Sequence, residues 1–509
     1  MRFFKLFFSK FLFVFAAICL QIFIFVATNF YLSSTFWWVN YWFNALAFII
    51  FLAVINKDKP ASFKLPWVAL VLFMPIVGIA IFILFGNYTL SRKARKAIKK
   101  EDKKLIRFCK KNKDTMDKLY LENKKAYGQA CYIERTCYLS TYENSYCEFL
   151  PTGEKFFNSL LENLKTAKKY IFMEYFIIEE GKFWNPILEI LQQKALEGVE
   201  VYVMYDDFGC VGKIPGSYYL RLRDKGIYAT RFNPFTPLVS VTHNNRDHRK
   251  ITVIDGEIGY VSGANIADEY INVTHPYGEW KDNACLLKGE CVDSLILMFI
   301  RLFNPSSVKK LEVSNYLVEH QKYDEDGFIA PYGDGPCPIY NDYISKNVYL
   351  NFINQAEKYV YITTPYLIVD YEFLEAICNA SKRGVDVRIL TPHIPDKRMI
   401  KIMTKSNYEK LIINGVKIYE FEKGFVHSKN VVVDDEFASL GTANFDYRSF
   451  VHHFECGVWF YKNKIIKDMK KDFENIINNE SIKMNVKNSK LSIPERLIKD
   501  LLRLIAPLI

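Results

Sequence analysis

Two stretches of this 509-residue chain set the same three reactive side chains at the same spacing: HRKITVID at 248–255 and HSKNVVVD at 427–434. Histidine titrates near neutrality, so it can attack an electrophile or move a proton, and lysine brings positive charge. In extended chain, residues two apart point to one side, so His248 with Lys250, and His427 with Lys429, project together. A phosphodiester asks for that set: a nucleophile, a proton donor for the leaving oxygen, and cations around the remaining oxygens. One such motif says little, since a lone histidine on a strand is usually structural. Two in register say much more.

The elements that must hold these residues repeat as well. TAKKYIFMEYFI at 166–177 is echoed by QAEKYVYITTPYLI at 355–368 (QAEK at its start), and ALEGVEVYVMYDD by SKRGVDVRILTPH, with Gly198 and Gly384 at matching turns. Val199, Val201 and Val203 alternate as in a strand, and NPILEILQQKALE has helical i, i+3, i+4 spacing. The offset between copies drifts only from 189 at Tyr170 and Tyr359 to 179 at His248 and His427. Each copy is a strand–helix–strand unit followed by an apolar strand that carries the motif, then by GAN at 263–265 or GTAN at 441–444. Two α/β halves are predicted, over 148–325 and 326–485.

On these residues the chain resembles the phospholipase D superfamily, whose paired motifs correspond to HRKITVID and HSKNVVVD. Within it the chain is similar to bacterial cardiolipin synthases, through HRKITVIDGEIGYVSGANIADEY, ITTPYLI, FVHSKNVVVDDEFASLGTANFDYRSF, KLPWVALVLFMPIVGIAIFILFGN and ERLIKDLLRLIAPLI. The resemblance covers nearly the whole chain. It implies two tandem phospholipase D-like α/β sandwich halves forming one pseudo-twofold catalytic body, preceded by N-terminal transmembrane helices. It also implies transfer of a phosphatidyl group from one phosphatidylglycerol to another, giving cardiolipin and glycerol through a phosphohistidine. Water or a different alcohol is the competing acceptor. One departure stands out: similar synthases tend to have Asn-Phe-Glu after the second motif, where this chain has His453-Phe454-Glu455.

By the same resemblance, His248 is the nucleophile and His427 the general acid and base, with Lys250 and Lys429 on the phosphate oxygens. Asn265 and Asn444 either donate amide hydrogens to the same group or cap turns. Asp255 and Asp434 close apolar strands and orient the loops there. A histidine in this role needs an acidic partner on its other ring nitrogen. The repeat offers Asp282, 34 residues beyond His248, and Glu455, 28 beyond His427, although a surface carboxylate is the competing reading of Asp282. No metal is predicted, because His243, His452 and His453 lack a coordinating spacing, and no cofactor is required.

The remaining sequence concerns the membrane. No charged residue occurs from Phe11 to Asn56 or from Leu65 to Ser91, so spans are predicted at roughly 11–32, 36–55 and 65–86 within a membrane region of 1–90, each matching a hydrocarbon core of about 30 Å. A cleaved signal peptide is the alternative for the first. Between Ser91 and Lys125 fifteen Lys/Arg face five Asp/Glu, which accounts for most of the net charge of +11. Residues 91–147 thus read as a basic juxtamembrane linker, drawn to anionic lipid and placing a multi-pass protein's catalytic body on the cytoplasmic face. Such a collar, without interleaved aromatics, argues against nucleic acid. Eleven cysteines with no C-x-x-C pair indicate reduced thiols. Residues 486–509 form an amphipathic helix, either interfacial or packed on the body. Nothing in the residues fixes an oligomeric state.

Overall fold

The apolar runs around the two motifs become central strands of two sheets. The computed structural model describes residues 19–20, 23, 37–57, 60–86, 90–110, 112–235 and 244–506. The first half supplies β1 (Tyr146–Leu150), β2 (Tyr170–Tyr175), β3 (Glu200–Asp206), β4 (Tyr228–Phe232), β5 (Ile251–Ile254), β6 (Ile258–Ser262), β7 (Glu279–Lys281) and β8 (Ala284–Lys288). The second supplies β9 (Phe328–Asp334), β10 (Tyr359–Thr363), β11 (Leu367–Ile368), β12 (Asp386–Pro392), β13 (Lys417–Phe421), β14 (Gly424–Val426), β15 (Asn430–Val433), β16 (Phe437–Gly441), β17 (Phe445–Asp446), β18 (Glu455–Tyr461) and β19 (Ser481–Lys483).

Strand order exposes the repeat more clearly than the residues do. The first sheet runs β1-β8-β6-β5-β2-β3-β4 and the second β9-β18-β16-β15-β10-β12-β13, with β19 added at its far edge. In each, a parallel pair (β2 with β3, β10 with β12) is linked by a crossover helix, Trp184–Leu196 or Tyr371–Lys382. The motif strand then pairs antiparallel on the other side, β5 on β2 and β15 on β10. Both faces of these strands are covered, so every residue of β5 and β15 is buried. The two sheets meet through β6 and β8 against β16 and β18. The helix Cys291–Ser306, buried over almost its entire length, lies against strands of both.

Asp255 and Asp434 act at the far ends of β5 and β15 from the histidines. Each takes a left-handed backbone conformation, with φ of 55° and 57°. The Asp255 carboxylate accepts the backbone N–H groups of Lys168, Lys169 and Tyr170 at 2.7, 2.7 and 2.9 Å. Asp434 does the same for Glu357, Lys358 and Tyr359 at 2.7, 2.8 and 2.7 Å. These carboxylates lock the entrance of β2 and β10 to the exit of the motif strand, and seven residues of extended chain, up to about 23 Å, part them from the motif histidines.

Residues 91–147, read from the sequence as a basic juxtamembrane linker, are largely helical. They form the helices Arg92–Leu105, Lys113–Glu122 and Lys124–Cys137, whose apolar positions Ile98, Leu105, Leu119, Ala130 and Ile133 are buried in the catalytic core. Asn304 donates to Glu101 at 2.7 Å, and Trp459 Nε1 to Gln129 at 2.9 Å. Most of the lysines between remain on the outer faces, whereas Glu101 and Asp102 turn inward.

A second unit comprises Met1–Thr89, Phe235–Asn244 and Asp500–Ile509. The predicted span at 11–32 lies almost wholly outside the described residues. The one at 36–55 coincides with the helix Trp37–Ile55. The one at 65–86 is two helices, Ala61–Phe73 and Pro75–Phe85, parted at Met74 where φ is −135° and ψ 69°. Pro75 cannot donate to the preceding turn, and a Cβ on Gly78 would stand 2.3 Å from the Leu70 carbonyl oxygen, so the second helix folds back on the first. At 1.5 Å per residue these pieces reach only about 20 and 16 Å. Among the described residues no helix is long and apolar enough to cross a membrane. At the C-terminus, the helix Ile493–Ile505 leaves Ile493, Leu497, Leu501 and Leu504 exposed.

Replacing Asp255 by Ala removes three acceptor contacts and puts a Cβ-bearing, non-bonding residue in a left-handed turn. It is expected to cost on the order of 2 kcal/mol, seen as a lower thermal midpoint of tryptophan fluorescence in detergent. An unchanged midpoint would show that the turn does not depend on the carboxylate.

Candidate active site

Neither half builds the site alone. The His248 backbone N–H donates to the Phe454 carbonyl at 2.9 Å, and the residue after Phe454 is Glu455. The His427 N–H donates to the Lys281 carbonyl at 2.7 Å, and the residue after Lys281 is Asp282. The main chain of each motif is therefore hydrogen-bonded to the strand edge of the other half, and β14 pairs with β7 across the same boundary. The side chains follow. His248 Nδ1 lies 3.0 and 2.9 Å from the two oxygens of Glu455, and His427 Nδ1 lies 2.6 Å from Asp282 Oδ2. The sequence offers these two carboxylates as the partners of the two histidines without assigning which serves which, and each histidine faces the carboxylate of the other half. Asp282 is wholly buried, not a surface group.

The lysines sit behind the histidines. Lys250 Nζ donates to the His248 carbonyl at 2.6 Å, and Lys429 Nζ lies 2.8 Å from His427 Nδ1 and also reaches the His427 carbonyl. Both are fully buried, while the two histidines are 7 % exposed. Rings enclose each histidine: Phe176 at 5.1 Å and His453 at 5.4 Å from His248, and Trp280, Tyr270 and Phe425 at 5.2, 5.5 and 5.9 Å from His427.

The two carboxylates differ in length, and their surroundings adjust. A Cβ on Gly263 would come within 2.2 Å of Asp282 Oδ1, so only glycine fits beside the shorter acid. At the matching position Thr442 donates to Glu455 at 2.5 Å.

The chain is similar to known proteins over most of its length. The model of the cardiolipin synthase phospholipase D-like domain matches residues 160–277 and 349–477, and a phospholipase D-nuclease N-terminal model matches 45–87. Cardiolipin synthase 2 of Bacillus cereus is 33 % identical over 92 % of this chain and 91 % of its own length. Cardiolipin synthase of Staphylococcus aureus is 33 % identical over 83 % and 86 %. The chain belongs to the cardiolipin synthase family. An uncharacterised protein of Streptococcus mutans is 38 % identical over 90 % of this chain and 99 % of its own length. In fold the chain is also similar to the phosphatidylserine synthase of Haemophilus influenzae, with a TM-score of 0.56 at 17 % identity over 71 % of this chain and 92 % of that one.

Burial governs the protonation of the site. It holds both histidines below the usual range, His427 at about 4, and the lysine ammonium groups reinforce the effect. Each Nδ1 faces a carboxylate, which only accepts, so the ring proton is on Nδ1 and Nε2 keeps a free lone pair; the Lys429 ammonium, though 2.8 Å from His427 Nδ1, gives its hydrogen to the His427 carbonyl. Burial also brings Lys250 down to about 8 and Lys429 to about 7, against partial opposition from Glu455 and Asp282. Burial pushes Asp282 up, but His427 and Lys429 outweigh it and its carboxyl lies low.

The other predicted residues are placed differently. Asn265 accepts from Ile177 N at 3.1 Å and donates to the Tyr270 hydroxyl at 2.7 Å, which holds an aromatic wall beside His427. Asn444 bonds Asp446, and its Oδ1 is buried without a hydrogen-bond partner. His243 lies outside the described residues, and the His452 carbonyl accepts from Asn245 at 3.0 Å. Thr442 is not singled out in the sequence, and His453 is noted there only as a departure after the second motif and as a histidine without metal-ligand spacing. Their signal was present in GTAN and in the departure at 453, but neither belongs to the repeated motif.

Among the described residues His248, His453 and Glu455 are the group whose potential ligand atoms lie within 4.8 Å of one another. Arg448 Nε donates to His453 Nε2 at 3.3 Å, so the proton of the neutral ring is on Nδ1, the nitrogen turned toward Glu455. A proton on that nitrogen suits a hydrogen-bonded chain and does not suit a ligand set.

The lysines bind an anionic phosphate only while protonated. Because burial lowers both, kcat/KM for phospholipid turnover is expected to fall as pH rises through about 7 to about 8. A pH–rate profile that stayed level well into the alkaline range would show that these ammonium groups do not carry substrate binding.

Proposed function

We propose that this chain makes cardiolipin, transferring a phosphatidyl group from one phosphatidylglycerol to the terminal glycerol hydroxyl of another. The observation that carries the reading is the pair of buried, neutral histidines, each tied through Nδ1 to a carboxylate across the interface. In the first step His248 Nε2 attacks phosphorus, the bond from phosphorus to the headgroup glycerol breaks, and His427 gives its proton to the departing oxygen. In the second, His427 takes the proton of the incoming hydroxyl, that oxygen attacks phosphorus, and the bond to His248 breaks. One phosphodiester replaces another, with no nucleotide consumed.

The first step needs His427 protonated, although its free value lies low. A bound phosphodiester anion offsets the Lys250 and Lys429 charges that help to hold the histidine down, so substrate binding itself raises its proton affinity. Lys250 and Lys429 then stabilise the charge on the non-bridging oxygens. Asp282 and Glu455 fix the ring tautomers and steady whichever ring is cationic. Asn444, with its unpartnered oxygen, and Asn265 support the wall around this centre.

The same reading makes the protein an integral membrane enzyme with its catalytic body on the cytoplasmic face. Exposed Tyr41, Trp42, Phe48, Ile49 and Leu52 on the helix Trp37–Ile55 support it, as do the basic outer faces of residues 91–125. Water as acceptor would instead give phosphatidic acid. The aromatic rings enclosing His427 favour the alcohol by limiting access of water.

Purified, detergent-solubilised protein given phosphatidylglycerol alone is expected to yield cardiolipin and one glycerol per product, followed by mass spectrometry. His248→Ala and His427→Ala are each expected to lower the rate by on the order of a thousandfold. Phosphatidic acid as the sole lipid product would replace this reading with hydrolysis, and equal rates in the variants would remove the histidines from the chemistry.

A further inference from the structure

His453 belongs to neither copy of the motif, yet it stands beside His248. It is buried, and Phe176 stacks on it at 6.5 Å. A guanidinium only donates, so Arg448 obliges Nε2 of His453 to accept and leaves the ring proton on Nδ1. That Nδ1 has no partner within hydrogen-bond distance, and it faces Glu455 Oε1 at 3.6 Å. The same carboxylate receives His248 Nδ1 and the Thr442 hydroxyl.

The first half contains the equivalent arrangement, already closed. Two residues before Asp282 stands Trp280, as His453 stands two before Glu455. The Trp280 indole Nε1 donates to Asp282 Oδ2 at 3.4 Å, and its ring is 5.2 Å from His427, against 5.4 Å between His453 and His248. Each acid is thus flanked by a nitrogen ring two residues upstream that packs on the histidine the acid serves.

We infer that His453 is a positioning residue, a neutral imidazole whose Nδ1–H is directed to Glu455 and sets how strongly that carboxylate holds His248. This rests on the reading of His248 as nucleophile. Burial, aided by Arg448 and His248 and resisted by Glu455, keeps His453 down at about 3, so it acts as a neutral donor. The charged and titratable groups that face His248 are Lys250 from its own strand, His427 and Lys429 from the second motif, and Glu455 on β18. Arg448 acts through His453. Without the His453 donor, the negative charge of Glu455 is directed more fully at His248, the imidazolium is favoured, and Nε2 loses its lone pair at a higher pH.

The test uses the full chain in detergent with His453→Ala, His453→Asn and His453→Leu. Asn retains an N–H, and Leu is the donorless residue of similar size should the cavity left by Ala prevent folding. Two midpoints are read: the acid limb of kcat/KM on phosphatidylglycerol, and the pH dependence of diethylpyrocarbonate modification of His248 by peptide mass spectrometry, which needs no turnover. Ala and Leu are expected to move both midpoints up by about half a pH unit or more, and Asn to return them toward the wild-type values. Unmoved midpoints in Ala and Leu, or an Asn variant displaced as far as they are, would overturn the inference. If the wild type turns over no phosphatidylglycerol, the proposed function fails by itself, and the modification profile still decides the role of His453.

Discussion

The site depends on an exchange of partners across the boundary between the halves. The His248 N–H is bonded to the chain one residue before Glu455, and the His427 N–H to the chain one residue before Asp282. A histidine buried this deeply loses the solvent that would stabilise either its tautomer or its charge, so its protonation is whatever its neighbours impose. Here the decisive neighbour comes from the opposite half. Each half on its own would have a motif whose nitrogen faces no carboxylate, and a buried acid with no cation, an expensive pair of faults. Folding the body and assembling the chemistry are therefore one event.

Away from that exchange, two further carboxylates set the position of the motif strands. Asp255 and Asp434 spend their lone pairs on backbone amides at the far ends of the motif strands. They fix the depth at which β5 and β15 enter the sheets and hence the height of the histidines above them. The helix Cys291–Ser306 does comparable work between the sheets, where its buried apolar side chains leave little freedom for one half to slide on the other. The histidines themselves lie in short connections just before their strands, where a backbone N–H is left over to reach across.

Most of this architecture was legible in the residues. Strand alternation around Val199 to Val203, the apolar runs of β5 and β15, and the repeat carry over into the two sheets because each is a local pattern of period two or 3.6. Asp282 and Glu455 were recognisable as acids that open a strand after each motif. Their pairing was not, because counting residues along a chain measures contour and the exchange happens in space. The segment 91–147 looked like a charged linker because fifteen Lys/Arg crowd into its stretch from Ser91 to Lys125, yet a few well-spaced positions such as Ile98 and Leu105 suffice to bury one face of a helix. The hydrophobic stretch at 65–86 hid its own interruption: hydropathy does not register that Pro75 and Gly78 make a fold-back possible.

The unequal furnishing of the two acids has a consequence for how such a body diversifies. In an assembly of two identical chains, a substitution beside one histidine is copied beside the other, so the two sides are held to the same chemistry. Covalent joining lifts that symmetry constraint. Gly263 opposite Thr442, Asp282 opposite Glu455 and Trp280 opposite His453 are three places where the sides have parted while the strand order remained the same. A fused chain can keep one imidazole tuned for attack and the other for proton traffic, a division of labour closed to a symmetric dimer.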